Sequence, residues 1–242
     1  MRLTLAALAL TLATPLAAQE MTEAEREAFR TEVRAYLLDN PEVLMEAMDV
    51  LQARQAAAQE AADAQLLAVN MDALLNDPGS WVGGNPDGDI TIVEFLDYRC
   101  GYCKRAFADV EELVATDGNI RFIVKEFPIL GEASTLASRY AIATRMVAGD
   151  DAYKAMHDTL MQFNGDITPE ALARVADALG LDDAAITARM NDDDITQIIA
   201  ATRDLGQRLA INGTPTFVIG DELLRGYVPL DGMRQIVAEE RG

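Results

Sequence analysis

The sequence predicts an α/β protein: a small sheet interrupted by a long helical insertion and preceded by an N-terminal helical region. Three observations lead there. The run Ile90-Thr91-Ile92-Val93-Glu94-Phe95-Leu96 is β-branched and apolar on both faces, and a helical stretch and a second such run at Ile120–Lys125 follow it. Thr216–Ile219 and Leu223–Arg225 bracket Gly220-Asp221, a hairpin turn. Between these two sets, residues 131–210 are almost wholly helical in pattern. The chain has 242 residues, half of them hydrophobic and 25% charged, enough for one sizeable core plus an appendage.

Residues 1–18 stand apart. Met1-Arg2 is a minimal basic start, Leu3–Ala13 is a short apolar run, and Thr14-Pro15-Leu16-Ala17-Ala18 ends it with small residues. This reads as a cleaved secretory signal, too short for a membrane span, with cleavage expected after Ala18. A buried N-terminal helix is the alternative. No later segment reaches about 18 uninterrupted apolar residues, so the mature protein is expected to be soluble. The formal net charge is −20 and becomes one unit more negative once Arg2 is removed. Such acidity argues against nucleic acid and anionic membrane surfaces as partners, and it names no substrate. Asp182-Asp183 and Asp192-Asp193-Asp194 read as helix-start or loop carboxylates without the regular ligand spacing of a calcium site.

After the signal, residues 19–76 are expected to be helical, rich in Ala, Glu and Gln, and broken at Asn40-Pro41-Glu42, where Asn40 caps and Pro41 suits a first helical position. Leu44, Met48, Leu51, Ala58, Ala62 and Val69 fall on a 3–4 spacing, with Gln55 and Gln65 interrupting the stripe. A long helix with so narrow an apolar seam must pack on something, either another subunit or its own domain. Asp77-Pro78-Gly79-Ser80 ends it, and Gly83–Gly88 reads as a turn-rich approach to the first strand. The domain from 77 to 242 then carries strand, helix from Lys104 to about Ala115, strand, insertion, hairpin and a last amphipathic helix from Leu230 to Glu239. Within the insertion, Thr168-Pro169-Glu170 starts one helix, Gly180 closes it and Asp182 begins the next.

The two cysteines form Cys100-Gly101-Tyr102-Cys103, at the junction where the first strand gives way to a helix. Redox chemistry competes there with three other readings. A structural disulfide closing so short a loop gains little. A zinc site normally takes four Cys or His ligands, and His157, the one histidine, lies far along the chain in a helical pattern read as surface or boundary. A Cu(I) site could use the two thiolates, with a Met. Position favours redox chemistry. Cys100 faces the unpaired N–H groups and positive end of a helix, which lowers a thiol pKa into the range of about 3.5–7.5. Cys103, one turn in and less exposed, is placed to attack a mixed disulfide. Gly101-Tyr102 supplies no imidazolium, so thiolate stabilisation is expected to be milder than with histidine there. Thr214-Pro215 precedes the last hairpin. A cis bond would hold Thr214 extended beside the sulfurs, its backbone free to pair with a substrate peptide, and an ordinary trans turn is the other reading. Phe107, Phe122, Phe127 and Phe217 read as core.

IVEFLDYRCGYCK and, about 110 residues later, Leu209-Ala210-Ile211 with NGTPTFVIG resemble the DsbA family of periplasmic thioredoxin-like oxidoreductases over residues 80–242. The Gly-Tyr pair and the Thr before Pro215 are similar to those of DsbC-type isomerases, and EVRAYLLDNPEVLMEAMDVLQ resembles ScsC-like proteins, whose N-terminal helices mediate trimerisation. The resemblance implies a thioredoxin-like fold and a periplasmic thiol:disulfide oxidoreductase, oxidase or isomerase. Cys100 is then the attacking thiol, Cys103 the resolving one, and Pro215 is cis opposite them. Gly101, Tyr102, Thr214 and Pro215 are expected to face substrate. The resemblance also points at Glu94, whose buried carboxyl would have a raised pKa and carry protons for Cys103. Pairing with Lys125 on the neighbouring strand is its structural alternative. No cofactor or metal is implied. The expected partners are exported proteins with thiols or disulfides, a membrane redox partner and further copies of this chain, with a trimer suspected. Cu(I) binding or maintenance of a partner's copper site remains the other function class.

Overall fold

A computed structural model describes residues 21–242, so the signal expected at 1–18 lies outside the described residues. Five strands form one sheet: β1 (Trp81–Gly84), β2 (Ile90–Leu96), β3 (Ile120–Glu126), β4 (Thr216–Ile219) and β5 (Glu222–Arg225), in the order β1-β3-β2-β4-β5. β2 and β3 run parallel, with Glu94 opposite Val124 and Phe95 opposite Lys125, and the other pairs are antiparallel. β1 replaces part of the turn expected over Gly83–Gly88. Two glycines masked a four-residue edge strand that Trp81 anchors by stacking on Tyr153.

Side chains alternate across a strand, and two hydrophobic clusters follow from that alternation. Ile92 and Leu96 share one face with Phe122, Val124, Phe217 and Ile219. Helix α3 (Gly101–Asp117) covers this face with Cys103, Ala106 and Val110, and the last helix, α9 (Leu230–Arg241), adds Met233 and Val237. Val93, Phe95, Ile123 and Val218 point to the other face, where they meet Phe127, Leu205 and Leu209. The insertion consists of α4 (Glu132–Ala148), α5 (Asp150–Gln162), α6 (Pro169–Ala178), α7 (Asp183–Arg189) and α8 (Asp193–Arg208). Thr168 and Asp182 cap α6 and α7 with their side chains, as their sequence positions predict.

The N-terminal region holds α1 (Glu23–Asp39), closed by a full capping box at Thr22 and Glu25, and α2 (Glu42–Leu75), with the break at Asn40-Pro41. Two compact units result. The first reaches to Ala57 and the second is Ala58–Gly242, so the division falls inside α2 rather than after residue 76. Within the second unit α2 buries Asp63, Leu67, Asn70 and Leu74, and Leu67 and Leu74 join the cluster of Val93 and Phe95. The seam read from the sequence lies elsewhere on the helix: Leu44, Met48 and Leu51 are exposed, as are Ala58 and Ala62, and Val69 is 79% exposed. Of the residues that do pack, Asp63 and Asn70 lie one position along from Ala62 and Val69, Leu67 and Leu74 also fall off the stripe, and the two polar positions hid the pattern. No helix among the described residues is long and apolar enough to cross a membrane.

Candidate active site

The strand-to-helix junction after β2 is held by Asp97, a fully buried residue. Its carbonyl accepts the Cys100 N–H at 2.9 Å, one carboxylate oxygen accepts Arg99 N–H at 2.8 Å, and the other accepts the N–H groups of Ile129 and Leu130 at 2.8 and 3.0 Å. Cys100 is thereby placed as the N-cap of α3, where a helix leaves its first N–H groups unpaired. The N–H of Cys103 points at Cys100 Sγ from 3.4 Å, and the Cys100 thiol lies 3.1 Å from the carbonyl oxygen of Thr214. Thr214–Pro215 is cis. Both cysteines are free, Cys100 being 7% exposed and Cys103 fully buried.

The two thiols are electrostatically unlike. Hydrogen bonding from Cys103, with further help from Thr214 and the helix-start N–H groups, lowers the Cys100 pKa to about 5 against the opposing effect of burial. Burial pushes the Cys103 thiol far up, and hydrogen bonding to Cys100 and the charge of Glu94 add to it. Glu94 projects to the same sheet face as Ile92, Leu96 and Cys103. Its Oε1 has no hydrogen-bond partner, and burial raises the carboxyl to about 8, with Cys100 and Glu111 adding to the shift. Lys125 is not its partner, because it sits opposite Phe95 on the other face. There its Nζ donates to Asp77 at 3.0 Å and to the Ala73 carbonyl at 3.1 Å. Tyr102 is 62% exposed beside the cysteines, and a Cβ built at Gly101 would meet nothing within 4 Å, so this edge is open to an incoming chain. Thr214 is half-buried and Pro215 buried.

His157 corrects the expectation of a surface or boundary residue. It is 1% exposed, stacked on Tyr153, with Nδ1 3.2 Å from the Tyr98 hydroxyl. Tyr98 and Tyr153 both donate to Glu126 Oε1 at 2.7 Å, and burial raises the Glu126 carboxyl to about 7 while lowering His157 to about 3. A neutral imidazole in that setting is a core group. Among the described residues, no group of three or more His, Cys, Asp or Glu is disposed to hold a metal ion.

The DSBA-like thioredoxin domain family model matches residues 91–238. The chain belongs to the DsbA-like thioredoxin-domain family of thiol–disulfide oxidoreductases. A second family model, the copper resistance protein ScsC N-terminal domain, matches residues 25–58. Among solved structures, a thioredoxin-like oxidoreductase from Silicibacter pomeroyi is 42% identical, covering 70% of this chain and 96% of its own, with a TM-score of 0.67. Proteus mirabilis ScsC in a transitional conformation is 31% identical, covering 91% of this chain and 96% of its own, with a TM-score of 0.66. Disulfide bond formation protein D of Bacillus subtilis is 24% identical over 174 residues, 67% of this chain and 77% of that protein. The chain also matches curated Na(+)/H(+) antiporters, but it spans only 24% of the length of one from Salinispora tropica.

Proposed function

We propose that the protein exchanges disulfides with exported polypeptides through Cys100 and Cys103. The observation that carries this is the placement of two thiols one helical turn apart: Cys100 caps α3 with the Cys103 N–H pointing at its sulfur, which favours its thiolate, while Cys103 is fully buried, which pushes its thiol far up. In the reduced state, the Cys100 thiolate attacks a substrate disulfide. The Cys100–substrate S–S bond forms, the substrate S–S bond breaks, and the departing sulfur leaves as a thiolate that takes a proton from water. The mixed disulfide has two exits. A second substrate thiolate attacks the substrate's sulfur and returns Cys100 as thiolate, which amounts to isomerisation. Alternatively Cys103 loses its proton to Glu94, attacks Cys100 Sγ and closes the Cys100–Cys103 bond, so the substrate is reduced and the enzyme oxidised. Run backwards, the second exit oxidises a substrate, and the Cys103 thiolate that leaves then takes its proton from Glu94. Glu94 suits that role because a carboxyl near pKa 8 both accepts and donates at neutral pH. Gly101, Tyr102, Thr214 and Pro215 form the edge that substrate meets.

Trapping tests the assignment. Cys103→Ala should accumulate mixed disulfides and Cys100→Ala none, and thiol alkylation of Cys100 should be half-maximal near pH 5. Trapping through Cys103 in the second variant overturns it.

The same reading extends to the N-terminal helices and to location. The ScsC N-terminal match over residues 25–58, and the exposed seam of α2, support self-association in this region, with a trimer as the expected state. Several active sites around one misfolded substrate would favour isomerisation over simple oxidation. The signal-like residues 1–18 support export, and a solved relative from Salmonella enterica serovar Typhimurium is described as a periplasmic thioredoxin-like protein. A membrane partner would then reset the cysteine pair. A copper-related role is the second reading, supported by the description of the N-terminal family. One tight equivalent of Cu(I) per reduced chain, lost in Cys100→Ala, would favour it.

A further inference from the structure

A groove of about 680 Å³ opens between the segment leaving β3 and the insertion helices, with Ile129, Leu136 and Met190 as apolar walls and Arg139, Arg203 and Glu132 as its charged lining. The two arginines are held in place by neutral groups. Arg139 donates to the Met190 carbonyl at 3.1 Å and to the Thr196 hydroxyl at 2.9 Å, and Arg203 donates to the Pro128 carbonyl at 2.8 Å and the Thr135 hydroxyl at 3.2 Å. Neither makes an ion pair among the described residues. By contrast, Arg30, Arg145, Arg189, Arg208, Arg225, Arg234 and Arg241 each pair with a carboxylate. A guanidinium offers five N–H donors, so each keeps donors in reserve for a carboxylate. A third cation, the exposed Arg99, reaches the rim by donating to the Leu130 carbonyl at 3.4 Å.

The groove is fastened to the nucleophile. Asp97 accepts the N–H groups of Ile129 and Leu130 through its carboxylate and the Cys100 N–H through its carbonyl, so groove wall and helix start hang from one buried residue. A small anion would use the arginines and leave the apolar walls idle, whereas an extended peptide uses both. We propose that this groove seats a stretch of the substrate polypeptide in which an aspartate or glutamate neighbours an apolar side chain, while that polypeptide's sulfur reacts at Cys100. The proposal rests on the exchange reading above. It also answers a problem that reading raises, since so acidic a protein repels acidic partners unless cations are left uncovered where they dock.

The test compares fluorogenic peptide disulfides that differ only beside an apolar residue near the cysteine: Asp, Asn or Lys. They are presented to the purified chain and to its Arg139→Gln/Arg203→Gln variant. The wild type should react with the Asp peptide roughly five-fold faster than with the Asn peptide at low ionic strength, the advantage fading with salt. The double variant should show no such preference, yet react with oxidised glutathione at the wild-type rate. Arg203→Gln alone, at an exposed position, should lose part of the preference and stands in if the double variant melts early. Equal rates for Asp and Asn peptides in the wild type, a preference for Lys, or a preference surviving in the double variant overturns the proposal. If neither protein exchanges with glutathione, it is the exchange reading that fails. Fluorescence anisotropy with serine-for-cysteine peptides then still reads the groove, and the absence of an Asp preference there overturns it.

Discussion

At the scale of single residues, Glu94 is the most informative position. It is an acid placed by strand alternation among Ile92, Leu96 and Cys103, with one oxygen unpartnered. Its folded pKa of about 8 lies above the unfolded value of 4.5, so the folded state holds the proton more tightly and stability falls as pH rises between those values. Glu94→Gln keeps the shape of the protonated acid and cannot ionise. Denaturant melts should therefore show the variant gaining on the wild type from pH 4.5 upward, by about 1–3 kcal/mol at pH 8. Closure of the Cys100–Cys103 bond should slow at neutral pH while Cys100 alkylation stays unchanged. A variant no more stable than wild type at pH 8, with unchanged closure, leaves Glu94 a packing residue. Much of this residue-level chemistry was legible in the sequence. A cysteine pair at the end of an apolar strand announces a helix-capped thiol. Lys125 was not so legible: β3 is buried on both faces, and only the pairing register, with Lys125 opposite Phe95, turns it away from Glu94. His157 was not legible. Tyr153 lies one helical turn before it, but its burial also depends on Tyr98 and on Glu126 at the end of β3, both distant in sequence, and the two tyrosine hydroxyls meet the Glu126 carboxylate only once the chain is folded.

At the scale of elements, the second half of α2 belongs to the catalytic domain, and its anchor is polar. Asp63, 8% exposed, accepts two hydrogen bonds from Arg225 on β5 at 2.6 and 2.8 Å, and Asn70 accepts from Arg208 on α8 at 2.6 Å. Such a fork-shaped pair is charge-assisted, and removing one partner strands the other. Asp63→Ala should cost about 1–3 kcal/mol in a denaturant melt of the reduced protein. Asp63→Ala with Arg225→Met should recover part of that, because no unpaired charge remains. A single variant as stable as wild type would show that α2 is held by Leu67 and Leu74 alone. Sequence periodicity foretold the helix and its break at Asn40-Pro41 but misplaced its packed face. The regular Leu–Met–Ala stripe outshone a face in which two of four buried positions are polar, and polar anchors carry no hydrophobic period. β1 escaped notice for a related reason: an edge strand containing Gly83 and Gly84 looks like a turn until Trp81 is known to be anchored by Phe122 and Tyr153.

At the scale of the whole molecule, the question is what the first unit is for. Neither α1 nor the part of α2 up to Ala57 buries a single described residue within the chain, yet Phe29, Tyr36, Leu38, Met45, Met48 and Leu51 are all more than half exposed. So much uncovered apolar surface calls for a partner, and a second and third copy of the same helices fit the proposed trimer. The place to cut follows from the packing. Removing residues 19–57 takes away the exposed helices and leaves Asp63, Leu67, Asn70 and Leu74 in place. Removing residues 19–76 also strips Leu67 and Leu74 from a closed core, where truncating a single leucine costs about 2–5 kcal/mol, and deprives Lys125 of the Ala73 carbonyl. The shorter deletion should give a folded monomer by light scattering that reacts with glutathione at the full-length rate but no longer restores scrambled disulfides. Catalysis at one site is untouched, while the raised local concentration of neighbouring sites is gone. The longer deletion should fold poorly, and for that reason it cannot separate assembly from stability. A full-length protein that is already monomeric at working concentration, or a 58–242 fragment that repairs scrambled substrate as fast as the whole chain, would remove the multivalent reading and leave a simple oxidase or reductase.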